Sequence, residues 1–199
     1  MNEYIYVPGA TTVGAVCREG VILASEKRVV YENYILSKNA KKVFRINGRI
    51  GMACAGLISD IQSLLGELKS KVYLFQLENR RQISVKSTAR LLSNILFEER
   101  GRFATEVLIG GVDASGAKLY IIDRFGSVTP DNYATVGSGA QIAIGVLEEG
   151  YKKEMSIEEA KELVIKSVRS AVSRDTMSGN GIDVLTITNN GTLENTFEI

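Results

Sequence analysis

A chain of 199 residues, 45% hydrophobic and 24% charged with a net charge of +1, can bury a sizeable core in one domain and carries no excess charge suited to nucleic acid or to an anionic membrane. No apolar run is long enough to span a bilayer, and Met1 to Gly9 lacks the basic start and apolar stretch of a signal peptide, so the cytoplasm is the expected location. Histidine is absent, which excludes Ser-His-Asp and Cys-His catalysis and histidine-ligated metals, and the two cysteines, Cys17 and Cys54, are too few for a Cys₄ zinc site. Both cysteines read as reduced, buried thiols in strands. Acid–base work is left to Lys, Asp, Glu, Tyr, a terminal amine or water.

The chain opens with strands. Thr12 to Cys17 and Val21 to Ala24 flank the turn Arg18-Glu19-Gly20. Asn47-Gly48, the type I′ dipeptide, predicts a hairpin between Val43 to Ile46 and Ile50 to Cys54. Gly56 ends that strand, and Ser59 can cap a helix. Ile61, Leu64, Leu65, Leu68, Val72 and Phe75 recur at helical spacing, as do Val85, Ala89, Leu92, Ile95 and Leu96 in the next segment. Strands return at Val107 to Val112 and Leu119 to Ile122, around the loop Asp113 to Gly116. A helix is predicted from about Gln141 to Tyr151. Another follows a capping box, Ser156 with Glu159, and turns Ala160, Leu163, Val164, Val168, Ala171 and Val172 to one side. Ile182 to Ile187 reads as the final long strand.

Strands, two helices, strands, two helices and a strand give an α+β chain. Each helix pair has one apolar stripe and must cover a sheet face. Two packed sheets with a helix layer on each outer face meet that requirement, as a four-layer α/β/β/α sandwich. A two-layer α+β domain fits the periodicity nearly as well.

The chemistry concentrates in Pro8-Gly9-Ala10-Thr11-Thr12-Val13-Gly14. This stretch resembles the mature start of catalytic proteasome β subunits, most closely the archaeal kind, where Thr-Thr-Thr-Val-Gly is released by self-cleavage after a Gly. Ala10 stands in the place of the first threonine. Glu26-Lys27-Arg28, Ser37 to Lys42, Ala55-Gly56, Gly137-Ser138-Gly139, Arg174-Asp175 and Ser178-Gly179 extend the similarity to near the C-terminus. The resemblance implies the N-terminal-nucleophile hydrolase fold, with Met1 to Gly9 as a retained propeptide and residues 10–199 as the β-type domain. It implies no cofactor.

A protease without histidine needs another base for its hydroxyl. An N-terminal threonine supplies one, since an α-amine titrates near ~7.7–8.0. By resemblance, Ala10 marks the nucleophile position and Gly9-Ala10 the cleavage site. Lys42 would lower the hydroxyl's pKa, held by Glu26 through a charge-assisted hydrogen bond. Ser138, Asp175 and Ser178 would orient the amine and relay protons, and the Gly56 N–H would hold the oxyanion. Val29, Val30, Ala40, Cys54 and Ile58 are expected around the substrate side chain before the cut bond, an apolar pocket with nothing to pair with Arg, Lys or Glu.

Alanine has no oxygen to attack with, so the chain as written is expected to be inactive. Two explanations stand: an engineered Thr→Ala replacement in an active peptidase, or a natural non-catalytic subunit that shapes the ring. The expected partners are proteasome α subunits and other β subunits in an α7β7β7α7 barrel, a regulatory ATPase reached through the α ring, and unfolded polypeptide substrates. Neither nucleic acid nor membrane is expected.

Overall fold

Burial on both faces of a strand sets the architecture, and it is clearest in the second strand, where every residue from Gly20 to Glu26 is buried. A strand buried on both sides lies between two layers. The computed structural model describes residues 9–199. In chain order the elements are β1 (Thr12–Cys17), β2 (Gly20–Glu26), β3 (Val29–Tyr31), β4 (Tyr34–Ser37), β5 (Val43–Arg45), β6 (Ile50–Gly56), α1 (Ile58–Asn79), α2 (Val85–Glu98), β7 (Thr105–Asp113), β8 (Gly116–Ile122), β9 (Val128–Asp131), β10 (Tyr133–Val136), α3 (Ala140–Gly150), α4 (Ile157–Val172), β11 (Ile182–Thr188) and β12 (Gly191–Phe197).

Among the described residues two five-stranded sheets form, in the orders β10-β1-β2-β11-β12 and β5-β6-β7-β8-β9, with β3 and β4 as a separate hairpin. Their pairings are antiparallel throughout. Val21 and Leu23 of β2 meet Ala53, Leu108 and Leu185 between the sheets. Ile22 and Ala24, one step out of phase, pack outward with Val164 and Val168 of α4. On the other outer face Met52 and Ile109 pack with Leu64 of α1 and Leu92 of α2. The sheets approach closely at Gly51, where a Cβ would lie 2.5 Å from Leu185 Cδ2. The four-layer sandwich is therefore the arrangement formed, and the two-layer alternative is not. Among the described residues no helix is long and apolar enough to cross a membrane.

Three local expectations are corrected. Neither Asn47 nor Gly48 has a positive φ, so their turn is not type I′. The β5–β6 register instead closes a longer loop in which Asn47 Oδ1 accepts from Arg49 N at 2.9 Å. The N-cap of α1 is Leu57, with no side-chain cap, because the neighbouring acid Asp60 is engaged by Ala104 N at 2.8 Å and Ser59 lies inside the helix. Finally, β11 is not the last strand: β12 pairs along its whole length from Thr188↔Gly191 to Ile182↔Phe197. The capping box on α4 forms as read, with both Ser156–Glu159 bonds made.

Candidate active site

The strand register gathers the candidate residues at one edge of the sandwich. Thr12 of β1 lies opposite Ser25 of β2 and Val136 of β10, and Glu26 lies opposite Ile182 of β11. Ala10 thus stands beside the end of β2 and the loop after β10. Thr12 Oγ1 donates to Cys54 O at 2.8 Å, tying this edge of the first sheet to β6 of the second.

Ala10 is fully buried, and its nitrogen is an amide because Gly9 precedes it. That N–H donates to Ser138 Oγ at 3.1 Å. Ser138 Oγ and Ser178 Oγ each donate to Asp175 Oδ2 at 2.6 Å. Asp175 follows the C-terminal end of α4, and its other oxygen accepts from Met177 N at 3.1 Å, which fixes the carboxylate. The loop around Ser138 is fitted closely to these groups. A Cβ on Gly139 would lie 2.0 Å from Thr11 Oγ1 and 3.2 Å from Asp175 Oδ2, so only glycine fits.

On the other side stands a buried ion pair. Lys42 Nζ donates to Glu26 Oε1, and both side chains are almost wholly shut off from solvent. Lys42 also donates to Arg28 O at 2.6 Å. Glu26 Oε2 accepts from Arg28 N at 2.7 Å and Gly179 N at 2.9 Å. Burial pushes the Glu26 carboxyl up, against the pull of Lys42 and the Gly179 and Arg28 amides. Burial likewise pushes the Lys42 ammonium down, against the attraction of Glu26 and Asp175.

Lys42, Gly9 and Gly56 share the lining of one cavity of about 180 Å³ with Val29, Val30 and Ile58. Tyr31 and Leu36 of the β3–β4 hairpin complete its wall, and neither is marked by any motif in the sequence. Ala40 and Cys54 do not line it. Cys54 packs with Ile50 and Met52 toward the helices, where burial pushes its thiol far above the ordinary range. Ala40 is half-buried and donates its N–H to Lys27 O at 2.9 Å. Met1 to Pro8, the greater part of the expected propeptide, lie outside the described residues.

Three further groups belong to the site. Thr11 Oγ1 hydrogen-bonds Ser178 Oγ at 2.8 Å. Thr12 Oγ1 and Ser25 Oγ bond each other at 2.8 Å, and Ser25 donates to Thr11 O at 3.2 Å. Arg28 reaches across to Asn180 Oδ1 and Thr176 O, each at 2.9 Å, and holds the loop that carries Ser178. The hydroxyls of Thr11 and Thr12 are both buried and hydrogen-bonded, and neither residue lines the cavity with Lys42, so neither stands in for a hydroxyl at residue 10.

A family profile described as "Proteasome subunit" matches residues 7–187. The chain is 42% identical over 200 residues to proteasome subunit beta 2 of Caldivirga maquilingensis, covering all of both chains. It is 48% identical to proteasome subunit beta 1 of Hyperthermus butylicus, over 93% of this chain and 92% of that one. With proteasome subunit beta 2 of Korarchaeum cryptofilum the identity is 45%, over 92% and 93% of the two chains.

Proposed function

The chain belongs to the proteasome subunit family as a β subunit of the core particle, and from that premise we propose that it carries a threonine-peptidase site assembled in every part but the nucleophile, with Ala10 in place of a threonine. The observation that carries this reading is the convergence on residue 10. Its nitrogen meets Ser138, which shares Asp175 with Ser178, while the Glu26–Lys42 pair faces the cavity that begins at Gly9.

With threonine at residue 10 the chemistry is as follows. Lys42 stabilises the hydroxyl oxygen as it loses its proton to a base. The oxygen adds to the substrate carbonyl, and Gly56 N–H receives the negative oxygen. Collapse forms an ester and releases an amine, and water then cleaves the ester. In the first round the carbonyl is that of Gly9, which frees the α-amine of residue 10. That amine, oriented by Ser138 and Asp175, is the base in later rounds. Val29, Val30 and Ile58 favour an apolar substrate side chain before the cut bond. With Ala10 neither step begins, and Met1 to Gly9 stay attached.

The protein works in the cytoplasm, in an α7β7β7α7 barrel of α and β subunits, on unfolded polypeptides delivered by a regulatory ATPase through the α ring. A Thr→Ala replacement in an otherwise competent subunit fits the completeness of the site. A natural non-catalytic subunit is the second reading. One observation favours it: the relatives bear the numbered names beta 1 and beta 2, which suits rings of more than one β type. The codon for residue 10 in the chromosomal gene separates the two. The site itself is tested by hydrolysis of a fluorogenic peptide ending in an apolar residue. Assembled with its α partner, the chain as written should be silent and Ala10→Thr active. An assembled but silent Ala10→Thr chain contradicts the proposal.

A further inference from the structure

Under the proposed function the oxyanion donor is the Gly56 N–H, and its direction depends on one peptide plane. That N–H and the Ala55 C=O belong to the same planar, trans peptide unit and point opposite ways, so holding the carbonyl aims the N–H. β6 and β7 pair here as Ala55↔Glu106 and Gly56↔Thr105. On the other side of β6, Cys54 N donates to Lys42 O at 2.9 Å, and strand alternation turns the Gly56 N–H to that same side. β5 begins only at Val43, opposite Ala53, so the Gly56 N–H lies beyond its start, where Gly56 lines the cavity with Lys42.

At the other end of the same peptide, Ala55 O accepts a hydrogen bond from Thr105 Oγ1 at 3.0 Å. Thr105 is buried, and a carbonyl oxygen has two lone pairs, so this bond adds to the strand ladder rather than replacing part of it. Thr105 is itself held in place. Its β-branched side chain is stiff at χ1. The preceding residue, Ala104, donates its N–H to Asp60 Oδ2 at 2.8 Å and accepts from Leu57 N at 3.1 Å. Around Gly56 there is no slack: its φ is 149°, and a Cβ there would lie 2.5 Å from Ala104 O and 2.7 Å from both Cα and Cβ of Thr105. The carbonyl one residue earlier is held as well, since Cys54 O accepts from Thr12 Oγ1 at 2.8 Å. Thr105 lies outside every motif that carries the family resemblance.

We propose that Thr105 is a positioning residue for the oxyanion site: its hydroxyl sets the Ala55–Gly56 peptide plane so that the Gly56 N–H meets the negative oxygen. This rests on the reading of Gly56 as the oxyanion donor once residue 10 is a threonine. Thr105 acts through the peptide and not on the substrate. A peptide plane released from this bond loses alignment with an oxygen whose charge is largest in the transition state, so turnover suffers and substrate binding does not.

The test is hydrolysis of a fluorogenic peptide ending in an apolar residue by the Ala10→Thr chain assembled with its α partner, with rates taken per mature chain as counted by intact mass. Thr105→Val keeps the shape, removes the hydroxyl and should lower kcat about fivefold to tenfold while KM stays within about twofold. Thr105→Ser keeps the hydroxyl and should recover most of the loss. A packing role alone gives the opposite order, with Thr105→Val near the parent and Thr105→Ser worse. Thr88→Val removes another buried hydroxyl, bonded to Ser84 O at 3.0 Å in α2, and should leave kcat unchanged. If Thr105→Val does not assemble, Thr105→Ser against Thr105→Ala isolates the hydroxyl in the same way. An active Ala10→Thr chain in which Thr105→Val stays within about twofold in kcat, or falls no further than Thr88→Val, overturns this inference and leaves the proposed function standing. A silent Ala10→Thr chain overturns both.

Discussion

Replacing Lys42 by Met should destabilise the fold strongly, although Lys42 is one side chain in a sheet-rich core. The methionine keeps the apolar stem but removes the ammonium that faces Glu26 Oε1 and the donor 2.6 Å from Arg28 O. Glu26 is fully buried, and the Arg28 and Gly179 amides satisfy only its other oxygen. Leaving a buried charge without its partner costs about 3–5 kcal/mol. For a chain of 199 residues each kcal/mol moves the melting point by about 2–4 °C, so a fall of roughly 6–20 °C follows. Adding Glu26→Gln removes the orphaned charge and should recover most of the loss. Thermal and urea unfolding of the parent, Lys42→Met, Glu26→Gln and the double variant give the coupling directly. A Lys42→Met chain melting within about 2 °C of the parent, or a double variant no better than additive, would mean that the Glu26 charge does not depend on Lys42 in the folded core.

Gly139→Ala should disrupt the Thr11–Asp175 neighbourhood, because its Cβ would lie 2.0 Å from Thr11 Oγ1; the cost is about 1–3 kcal/mol in denaturant unfolding. Ser156→Ala removes a cap that accepts from Glu159 N and should cost about 1 kcal/mol, measured the same way. Asp123 gives a pH test. Desolvation alone would push its carboxyl up, but bonds from Ser127 and from the Phe125 and Gly126 amides outweigh it and hold it below the ordinary value. A depressed carboxylate contributes stability that is whole above the unfolded value and is lost as pH falls through the folded one. The stability gap between the parent and Asp123→Asn, about 1 kcal/mol in size and read from their melting points, should therefore be constant above pH ~4 and close below it.

The helices were legible because their apolar stripes are local: Leu64, Leu68, Leu92 and Val164 all pack where their spacing directs them. Of the strands beside the site, β1, β2 and β6 were legible, whereas β10 was not among the strands read from the sequence. The β3–β4 hairpin was not, because Tyr31, Tyr34 and Leu36 stand exposed and show no buried alternation. Asn47-Gly48 misled because the Asn47 side chain satisfies the turn that positive φ would otherwise close. At the site, Glu26, Lys42, Ser138, Asp175 and Ser178 could be named from the family resemblance. The contact of Thr11 with Ser178 and the Arg28 bridge to Thr176 and Asn180 could not, since they join residues far apart in the chain and the resemblance gives no role to Thr11 or Arg28. Cys54 shows the limit of carrying a pocket over by position: its strand phase turns it into the helix-side core.

On the proposed function, one missing hydroxyl separates this chain from a working peptidase site. The most direct measurement is the intact mass of Ala10→Thr assembled with its α partner, taken alongside the chain as written. The variant should lose Met1 to Gly9 and begin at the introduced threonine, the parent should keep those residues, and Lys42→Ala in the variant background should restore the longer mass. A properly assembled Ala10→Thr chain that still carries Met1 to Gly9 would contradict the proposed function.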